Sequence, residues 1–240
     1  MSNPRRPRRQ QQRAIDTRQR IIDTAGSLFV TDGYDGTSVG DLITAARTSK
    51  GAFYRHFPGG KMDVATAIMH DTLTMDGLLE QRIMLQEVVD IGMILAHRIA
   101  HENALQAALK LSFHSNAPDT YGTPWPDWIA FNTGQLAEAR RRGELRKFVD
   151  AEEQAHQIAG NWAGVVLLSN TLDRHMRNVE ARISRMYRNL VTAIAVPDLL
   201  PELDFSVDRG RNLYTAFLEA PADPSDPEPS PTGPVEGGPE

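Results

Sequence analysis

Apolar positions along most of the chain recur every three to four residues, which is the spacing of one face of an α-helix. The first such stripe runs from Ile21 to Phe29 and ends at the turn-rich stretch 31–36. From about residue 62 onward the same period continues without alternating strand patterns. We therefore predict an all-α protein. Later helices are expected near 61–83, 86–101, 103–116, 126–142, 151–173, 177–195 and 207–218.

Residues 37–57 carry the most specific pattern, which predicts two short helices joined by a tight turn. Thr37 or Ser38 can cap the first helix, and Asp41 suits its first turn, where a carboxylate meets the positive end of the helix dipole. Thr48 or Ser49 can cap the second helix. The buried face of the first helix comprises Val39, Leu42, Ile43 and Ala46.

The second short helix has two faces of different chemistry. Phe53 and Phe57 lie four residues apart and are expected to face inward, whereas Lys50 and Tyr54 share the other side. Gly51 has no side chain and allows close approach to a phosphate or a base edge, although it lowers helix propensity. This face is suited to DNA.

Residues 37–61 resemble the helix-turn-helix of the TetR family of bacterial repressors. The usual Ala-Gly-Val of the turn is Ala-Arg-Thr at 46–48, and the junction 58–63 carries one residue more than the family pattern. The matching residues are Thr37, Ser38, Val39, Ser49, Lys50, Gly51, Tyr54, His56 and Phe57. The resemblance implies DNA contacts by Thr37, Ser38, Thr48, Ser49, Lys50, Gly51, Tyr54, His56 and Lys61.

Charge is divided between the two ends of the chain. Residues 1–62 hold eleven Lys and Arg against five Asp and Glu, whereas the whole chain has a net charge of −5. The basic end is the expected DNA end. We predict an Arg-rich disordered tail at 1–13, a helix-turn-helix domain at 14–60, a helical ligand-binding and dimerisation domain at 61–218, and a disordered tail rich in Pro and acids at 219–240.

A second resemblance concerns a small-molecule site. A proline-rich loop before Trp128, followed by Gly-Glu-Leu-Arg at 143–146, Asp150 and Ala-His at 155–156, is similar to the γ-butyrolactone receptors of the TetR family. In that subgroup the Trp stacks on a small lactone signal, and binding releases the repressor from promoters of antibiotic genes. Trp128 is the matching position. Further pocket candidates are Phe131, Asn161, Trp162, Met69 and Thr72.

The family resemblance also implies a homodimer on an inverted-repeat operator in double-stranded DNA. Residues 183–194 carry an apolar stripe that could serve as the interface, although burial within one chain would explain it equally well. The glycines at 160 and 164 leave the same choice, since small residues permit either a ligand or close helix packing.

Other classes of protein are less consistent with the sequence. His97 and His101 have the spacing of zinc ligands, but the catalytic Glu of the His-Glu-x-x-His signature is Arg98 here, so we expect no metal. No Gly-x-Ser-x-Gly elbow is present, which leaves a lactone hydrolase as a remote alternative. We expect no enzyme activity and no cofactor.

The signal itself stays open at this point. A repressor that answers another apolar effector, such as an antibiotic, a furan or a butenolide, or an orphan regulator without ligand, fits the same residues. The longest apolar run, 162–168, is too short to cross a membrane, so we expect a cytoplasmic protein that associates with the nucleoid when it binds DNA.

Overall fold

A computed structural model describes residues 5–72, 74, 77–113, 117, 122–173 and 176–220, with the backbone alone for residues 5–10. Within these ranges the chain is helical and has no β-strand; Leu145 and Ala195 form an isolated antiparallel bridge. The predicted all-α class is confirmed. The helices are α1 (Arg5–Thr31), α2 (Gly33–Gly36), α3 (Val39–Ala45), α4 (Lys50–His56), α5 (Lys61–Asp71), α6 (Met84–His101), α7 (Asn103–Ser112), α8 (Trp125–Arg141), α9 (Ala151–Leu172), α10 (Val179–Ile194) and α11 (Arg209–Glu219).

Helix α1 begins earlier than the sequence suggested. Residues 5–13, predicted as part of a disordered tail, are helical and continue without a break into the buried part of α1. Arg and Gln favour helix, and Pro7 lies in the first turn, where its missing N–H removes no helical hydrogen bond. The structure thus gives residues 5–13 a helical backbone, and residues 1–4 lie outside the described part.

The core of the N-terminal region does not end at residue 60. Ile21, Leu42, Phe53 and Phe57 are buried in one cluster, and residues of α5 and α7 belong to the same cluster. The members from α5 and α7 are Val64, Ala65, Ala67, Ile68, Met69, Ala107, Ala108 and Leu111. The predicted domain boundary thus falls inside a continuous core, and α5 is bound to both parts of the chain.

Helix α6 is the centre of the second core. It is almost entirely buried and packs against α8, α10 and α11. Close approach depends on two glycines: a Cβ at Gly92 would lie 2.0 Å from the Tyr187 hydroxyl, and a Cβ at Gly210 would lie 2.0 Å from the Met93 carbonyl oxygen. Tight packing at these points fixes α10 and α11 on α6.

The predicted helix 61–83 is the largest error among the helix boundaries. Helix α5 ends at Asp71, with Thr72 as its C-cap, and Gly77 has a φ of +86°. The carbonyls of Thr72 and Thr74 accept hydrogen bonds from Arg98, which is distant in sequence and replaces the helical partners. The sequence also did not predict the 3₁₀ helix Pro197–Glu202.

Several sequence expectations fall on undescribed residues. These are the tail beyond residue 220 and part of the proline-rich loop before Trp128, including Tyr121. Among the described helices, none combines the length and the apolar composition that a membrane span requires.

Candidate nucleic-acid interface and effector cavity

Helix α3 begins with a reciprocal cap. The Ser38 hydroxyl accepts a hydrogen bond from the Asp41 amide at 3.1 Å, and the Ser38 amide donates to the Asp41 carboxylate at 2.9 Å. The hydrogen bonds from Ser38 lower the pKa of Asp41 below its ordinary value. The cap fixes the entry of the chain into the helix-turn-helix.

The turn between α3 and α4 departs from the family pattern in sequence but keeps a left-handed residue. Arg47 stands where the family has Gly, and its φ is +49°. Arg20 of α1 donates from Nε to the Ala46 carbonyl at 3.0 Å, and the Thr48 amide donates to the Ile43 carbonyl at 3.1 Å. These contacts hold Arg47 in a conformation that is about 1–2 kcal/mol less favourable for a residue with a side chain.

Helix α4 presents the exposed face that the sequence predicted. Ser49 caps it by accepting from the Ala52 amide at 3.1 Å. Phe53 is fully buried, and Lys50 and Tyr54 are exposed on the other side. A Cβ at Gly51 would meet no atom within 4 Å. No neighbour in the described chain therefore requires a glycine at residue 51.

Two predicted DNA contacts are engaged inside the protein instead. The Thr37 side chain is 2% exposed, and its hydroxyl donates to the Gly33 carbonyl at 2.8 Å. The Lys61 ammonium donates to the Tyr34 carbonyl at 2.7 Å and lies 4.2 Å from the centre of the Tyr34 ring. Both side chains fix the α2 turn, so we no longer assign them DNA contacts in this conformation.

His56 and Thr48 are half-buried at the edges of the α4 face. Burial, followed by the charges of Arg55 and Arg18, lowers the pKa of His56 below its usual 6.5. The imidazole is therefore neutral at pH 7 in the free protein. It can contact a phosphate, but it brings no positive charge unless the phosphate raises its pKa.

The extra residue in the junction after α4 is accommodated by Gly60. Its φ of +73° and ψ of −137° are characteristic of glycine, and it precedes α5 as the N-cap. The Gly59 amide donates to the Asp63 carboxylate at 2.6 Å. The junction is thereby closed around the start of α5.

A mostly apolar cavity lies in the C-terminal region, where Trp128 and Trp162 are 7% and 4% exposed. Its volume is about 90 Å³. Pockets that enclose drug-sized ligands measure roughly 300–1,000 Å³, so an effector of that size must widen it. The lining residues are Met69, His70, Thr74, Leu95, Ile99, Leu105, Leu109, Pro124, Trp125, Asp127, Trp128 and Trp162.

The two buried tryptophans differ in their hydrogen bonding. Trp162 donates its indole N–H to the Gly92 carbonyl at 3.1 Å. The indole N–H of Trp128 is buried without a hydrogen-bond partner in the described structure. Their ring centres lie 6.3 Å apart. An unpaired buried N–H costs free energy, and a ligand acceptor at Trp128 would remove that penalty.

The cavity includes three of the six predicted pocket residues, Met69, Trp128 and Trp162. Phe131 stacks beside Trp128 at 6.4 Å between ring centres but does not line the cavity. Thr72 donates its hydroxyl to the Ile68 carbonyl at 2.5 Å, and Asn161 is exposed on α9. These three residues lie outside the cavity in this conformation, because helix period alone does not tell which side of a helix faces a void.

Sequence reasoning missed most of the cavity wall. Leu95 and Ile99 on α6, and Leu105 and Leu109 on α7, each form an i, i+4 pair. Such pairs are the ordinary signal of core and carry no separate signal of a cavity. Trp125, at the start of α8, also lines the cavity, and a second tryptophan so close to Trp128 could have indicated it as a pocket residue.

The polar side chains of the lining are His70, Thr74 and Asp127, and the lining residue Trp128 carries a buried N–H. No Lys or Arg lines the cavity in the described structure. A carboxylate ligand would therefore lack a cationic partner and would meet the Asp127 carboxylate. The electrostatics favour a neutral molecule with carbonyl and hydroxyl groups.

An apolar face on α9 and α10 is exposed in the single chain. Leu168 and Leu172 are 59% and 73% exposed, and a Cβ at Gly160 or Gly164 would meet no atom within 4 Å. Asn161 lines a shallow groove between these helices with the half-buried Met186 and Leu190 of α10. The other members of the predicted stripe, Ile183, Tyr187, Val191 and Ile194, are buried in the chain's own core.

The paired histidines on α6 have partners within the chain. His97 Nδ1 lies 2.7 Å from a carboxylate oxygen of Glu180, and His101 Nδ1 lies 2.8 Å from the His97 carbonyl oxygen. Among the described residues, no group of three or more His, Asp or Glu side chains is arranged to hold a metal ion.

Comparison with known proteins agrees with this geometry. Residues 21–68 match the family model for bacterial regulatory proteins of the tetR family. Over 196 residues the chain is 28% identical to the A-factor receptor protein of Streptomyces griseus, in an alignment that covers 80% of this chain and 69% of that protein. The match to the family model includes α3 and α4.

Solved structures extend the similarity to the whole fold. The full-length TetR regulator TylP from Streptomyces fradiae superposes with a TM-score of 0.76 at 29% identity, covering 86% of this chain and 99% of that chain. A γ-butyrolactone receptor described as ArpA-like has the same fold, with a TM-score of 0.65 at 22% identity and coverage of 85% and 99%.

Proposed function

The chain belongs to the TetR family of bacterial DNA-binding regulators, and we propose that it is a repressor released from an inverted-repeat operator by a small neutral lactone. Its relatives are transcriptional regulators and not enzymes. The observation that carries the ligand proposal is the indole N–H of Trp128, which has no partner among the described residues and lies beside an apolar cavity whose described lining contains no Lys or Arg. The proposal includes genes of antibiotic production among the targets, because a solved structure of the same fold is described as the molecular basis for control of antibiotic production by bacterial hormones.

The DNA-binding part of the proposal rests on α4. Lys50 and Gly51 at its first turn would approach base edges in the major groove, while Ser38, Ser49, Tyr54 and His56 would contact phosphates. Arg47, in the turn before α4, and Arg55, near the end of α4, are further exposed cations in the same segment. The net positive charge of residues 1–62 favours association with DNA.

The effector part rests on the shape and polarity of the cavity. A γ-butyrolactone offers a carbonyl acceptor for the Trp128 N–H and an apolar chain for Leu95, Ile99 and Leu109. Because the cavity of about 90 Å³ is small, binding must displace its wall. The ligand therefore favours a different conformation, by no more than its difference in affinity for the two states.

The dimer part rests on the apolar face of α9 and α10. Gly160 and Gly164 would let the partner helix approach closely, and Leu168 and Leu172 would be buried between the two chains. A two-fold dimer places two copies of α4 on one side, as an inverted repeat requires.

A matched pair of effectors tests the proposal. We would purify the full chain, measure its binding to DNA upstream of its own gene by gel shift, and titrate an alkyl γ-butyrolactone against the same compound with its ring opened to the hydroxy acid. The opened form is a carboxylate, and Asp127 lines the cavity. We therefore expect the closed lactone to release the DNA at a concentration that is lower than that of the opened acid by a factor of about ten or more.

Two results would contradict parts of the proposal. Release by the ring-opened acid at the same concentration as the lactone would refute the neutral-effector assignment and favour a furan or other acid. Operator binding that no lactone, butenolide or antibiotic reverses would show an orphan regulator, while leaving the DNA-binding part intact.

A further inference from the structure

Arg98 on α6 makes an unusual number of contacts for a side chain that is 5% exposed. It donates to the Thr72 carbonyl at 2.9 Å, and to the Thr74 carbonyl and hydroxyl at 3.2 and 3.0 Å. It also donates to both carboxylate oxygens of Glu102 at 3.0 and 3.1 Å. The guanidinium lies 5.3 Å from the centre of the Tyr214 ring on α11.

The contacts to Thr72 and Thr74 hold the end of α5 that is distant from the DNA-binding face. Thr72 is the C-cap of α5, and Asp71 forms an ion pair with Arg18 of α1 at 2.7 Å. The other end of α5 is fixed at the helix-turn-helix by the hydrogen bond from Lys61 to the Tyr34 carbonyl. Helix α5 is therefore held at the helix-turn-helix by its N-terminal end, while its C-terminal end is held by Arg98 of α6 and, through Asp71, by Arg18 of α1.

The same arginine adjoins the cavity. Thr74 lines the cavity and accepts hydrogen bonds from Arg98, so a displacement of Thr74 must change those bonds. Met69 brings α5 itself into the wall, and Leu95 and Ile99 flank Arg98 on α6. Glu102, the carboxylate partner of Arg98, is the N-cap of α7, which supplies the opposite lining residues.

We infer that Arg98 is the positioning residue that couples the cavity to the DNA-binding region, by holding the C-terminal end of α5 in its operator-binding orientation while the cavity is empty. The inference rests on the proposed function for the identity of the effector. A ligand too large for the empty cavity displaces Thr74, the hydrogen bonds from Arg98 to Thr72 and Thr74 are lost, and α6 no longer holds the C-terminal end of α5.

The chemistry of arginine explains why this position suits it. A planar guanidinium donates in several directions at once and can serve two carbonyls, a hydroxyl and a carboxylate together, whereas a lysine ammonium is a compact point charge. Arg98→Lys thus keeps the positive charge near Glu102 and reduces the number of hydrogen bonds to Thr72 and Thr74.

Arg209→Lys is the matched control. Arg209 is a partly buried arginine that ties α11 to α6 through hydrogen bonds to Asp90 and also donates to Asp204. Among the described residues its side-chain hydrogen bonds do not reach α5, and it does not line the cavity. Both variants should lower the thermal midpoint, since both lose charge-assisted bonds. A merely structural role for Arg98 predicts the same behaviour for both variants in DNA binding.

The experiment measures operator Kd without effector and with a saturating alkyl γ-butyrolactone, for the native chain and each variant. We expect Arg98→Lys to raise the effector-free Kd about tenfold and to reduce the ratio of the two Kd values to about two, while the control keeps the native ratio. Lactone binding, followed by tryptophan fluorescence, should tighten by up to about tenfold in Arg98→Lys, because more of the empty protein is then in the state that binds the lactone.

Thr74→Val is a second, milder variant, which removes the hydroxyl that accepts from Arg98 and preserves the shape of the side chain. It should lower the ratio of the two operator Kd values by about half as much, on a logarithmic scale, as Arg98→Lys does. A native ratio with both Arg98→Lys and Thr74→Val would overturn the inference. If the native chain is not released by the lactone, the effector proposal fails, and the effector-free Kd of Arg98→Lys still decides whether Arg98 sets the orientation of α5.

Discussion

The DNA-binding face and the effector cavity are built in opposite ways. The face is exposed, and its groups come from about twenty consecutive residues on α3 and α4, held by caps within the same segment. The cavity is apolar and buried, and its walls come from α5, α6, α7, α8 and α9. A local surface can change its sequence preference one residue at a time, whereas a change in the cavity disturbs the packing of several helices.

Glycines show the same difference. A Cβ at Gly51, on the DNA-binding face, would meet open space, whereas a Cβ at Gly26 or Gly92 would collide with Ala104 or Tyr187. The first kind of glycine leaves room for something outside the chain, and the second kind permits packing inside it. Substitutions therefore separate contact with a partner from contact within the fold.

The largest expected effect concerns the dimer that presents two DNA-binding faces together. Gly164→Leu adds a side chain where the single chain has open space, so the monomer fold should remain while the partner is excluded. We expect a monomer in light scattering and a loss of operator affinity of about a hundredfold or more. Gly134→Leu, on α8 and equally open, is the control; a dimeric Gly164→Leu protein would refute the assigned interface.

Gly51→Ala tests whether the DNA-binding face needs its glycine for DNA alone. The free protein should gain up to about 1 kcal/mol in the free energy of unfolding, because alanine favours helix. Operator binding should weaken by roughly 1–3 kcal/mol, since the methyl group prevents close approach to the DNA. Gly134→Ala should give a similar gain in stability with unchanged DNA binding, and equal DNA binding by Gly51→Ala would remove this residue from the interface.

Trp128→Phe tests the cavity by removing the indole N–H while an aromatic ring remains, and Trp162→Phe makes the same reduction in ring size. The Trp128 N–H is unpartnered, so Trp128→Phe should lose about 1 kcal/mol of effector binding, or roughly a fivefold higher lactone concentration for release, with unchanged effector-free DNA binding. Trp162→Phe instead loses the hydrogen bond to Gly92 and should lower stability more than it alters release. An unchanged release midpoint in Trp128→Phe would contradict the proposed donor.

Arg47 and Met176 are non-glycine residues with positive φ, one in each region, so replacing each with Gly compares the effect on stability in the two regions. Arg47 is exposed in the turn, so Arg47→Gly should raise the free energy of unfolding by about 1 kcal/mol as the backbone strain is relieved. Met176 is buried in the core of the C-terminal region, so Met176→Gly should lower it by about 1–2 kcal/mol despite the same relief. Denaturant unfolding measures both; a loss of stability in Arg47→Gly would mean that its side chain stabilises the turn.

The smallest expected effect is the pH response of the DNA-binding face. Because the pKa of His56 is lowered in the free protein, contact with a phosphate would raise it and couple binding to proton uptake. Operator affinity should rise by about twofold to threefold between roughly pH 7.5 and 6, and His56→Gln should remove that part of the response. The free protein should become less stable as the pH falls over the same interval, since the unfolded chain takes up the proton more readily than the folded one. An operator affinity that does not depend on pH would place His56 away from phosphate.

The sequence by itself determined the caps and helix faces of the helix-turn-helix, because these depend on neighbours within four residues, whereas its turn is also held by Arg20 of α1. Ser38, Ser49, Phe53 and Phe57 have the roles that their spacing predicted. The resemblance to the TetR family identified the same segment, and comparison with known proteins confirmed it.

Only the tertiary structure decided the long-range features. Thr37 and Lys61 face inward because they donate hydrogen bonds to the carbonyls of Gly33 and Tyr34. Helix α5 ends at Asp71, where Arg98, 26 residues beyond the C-cap Thr72, donates a hydrogen bond to the Thr72 carbonyl. The cavity likewise depends on how five helices meet around Trp128. Helix periodicity specifies which side of a helix is buried, but a void and a long-range hydrogen bond depend on the positions of neighbouring helices, which no local pattern encodes.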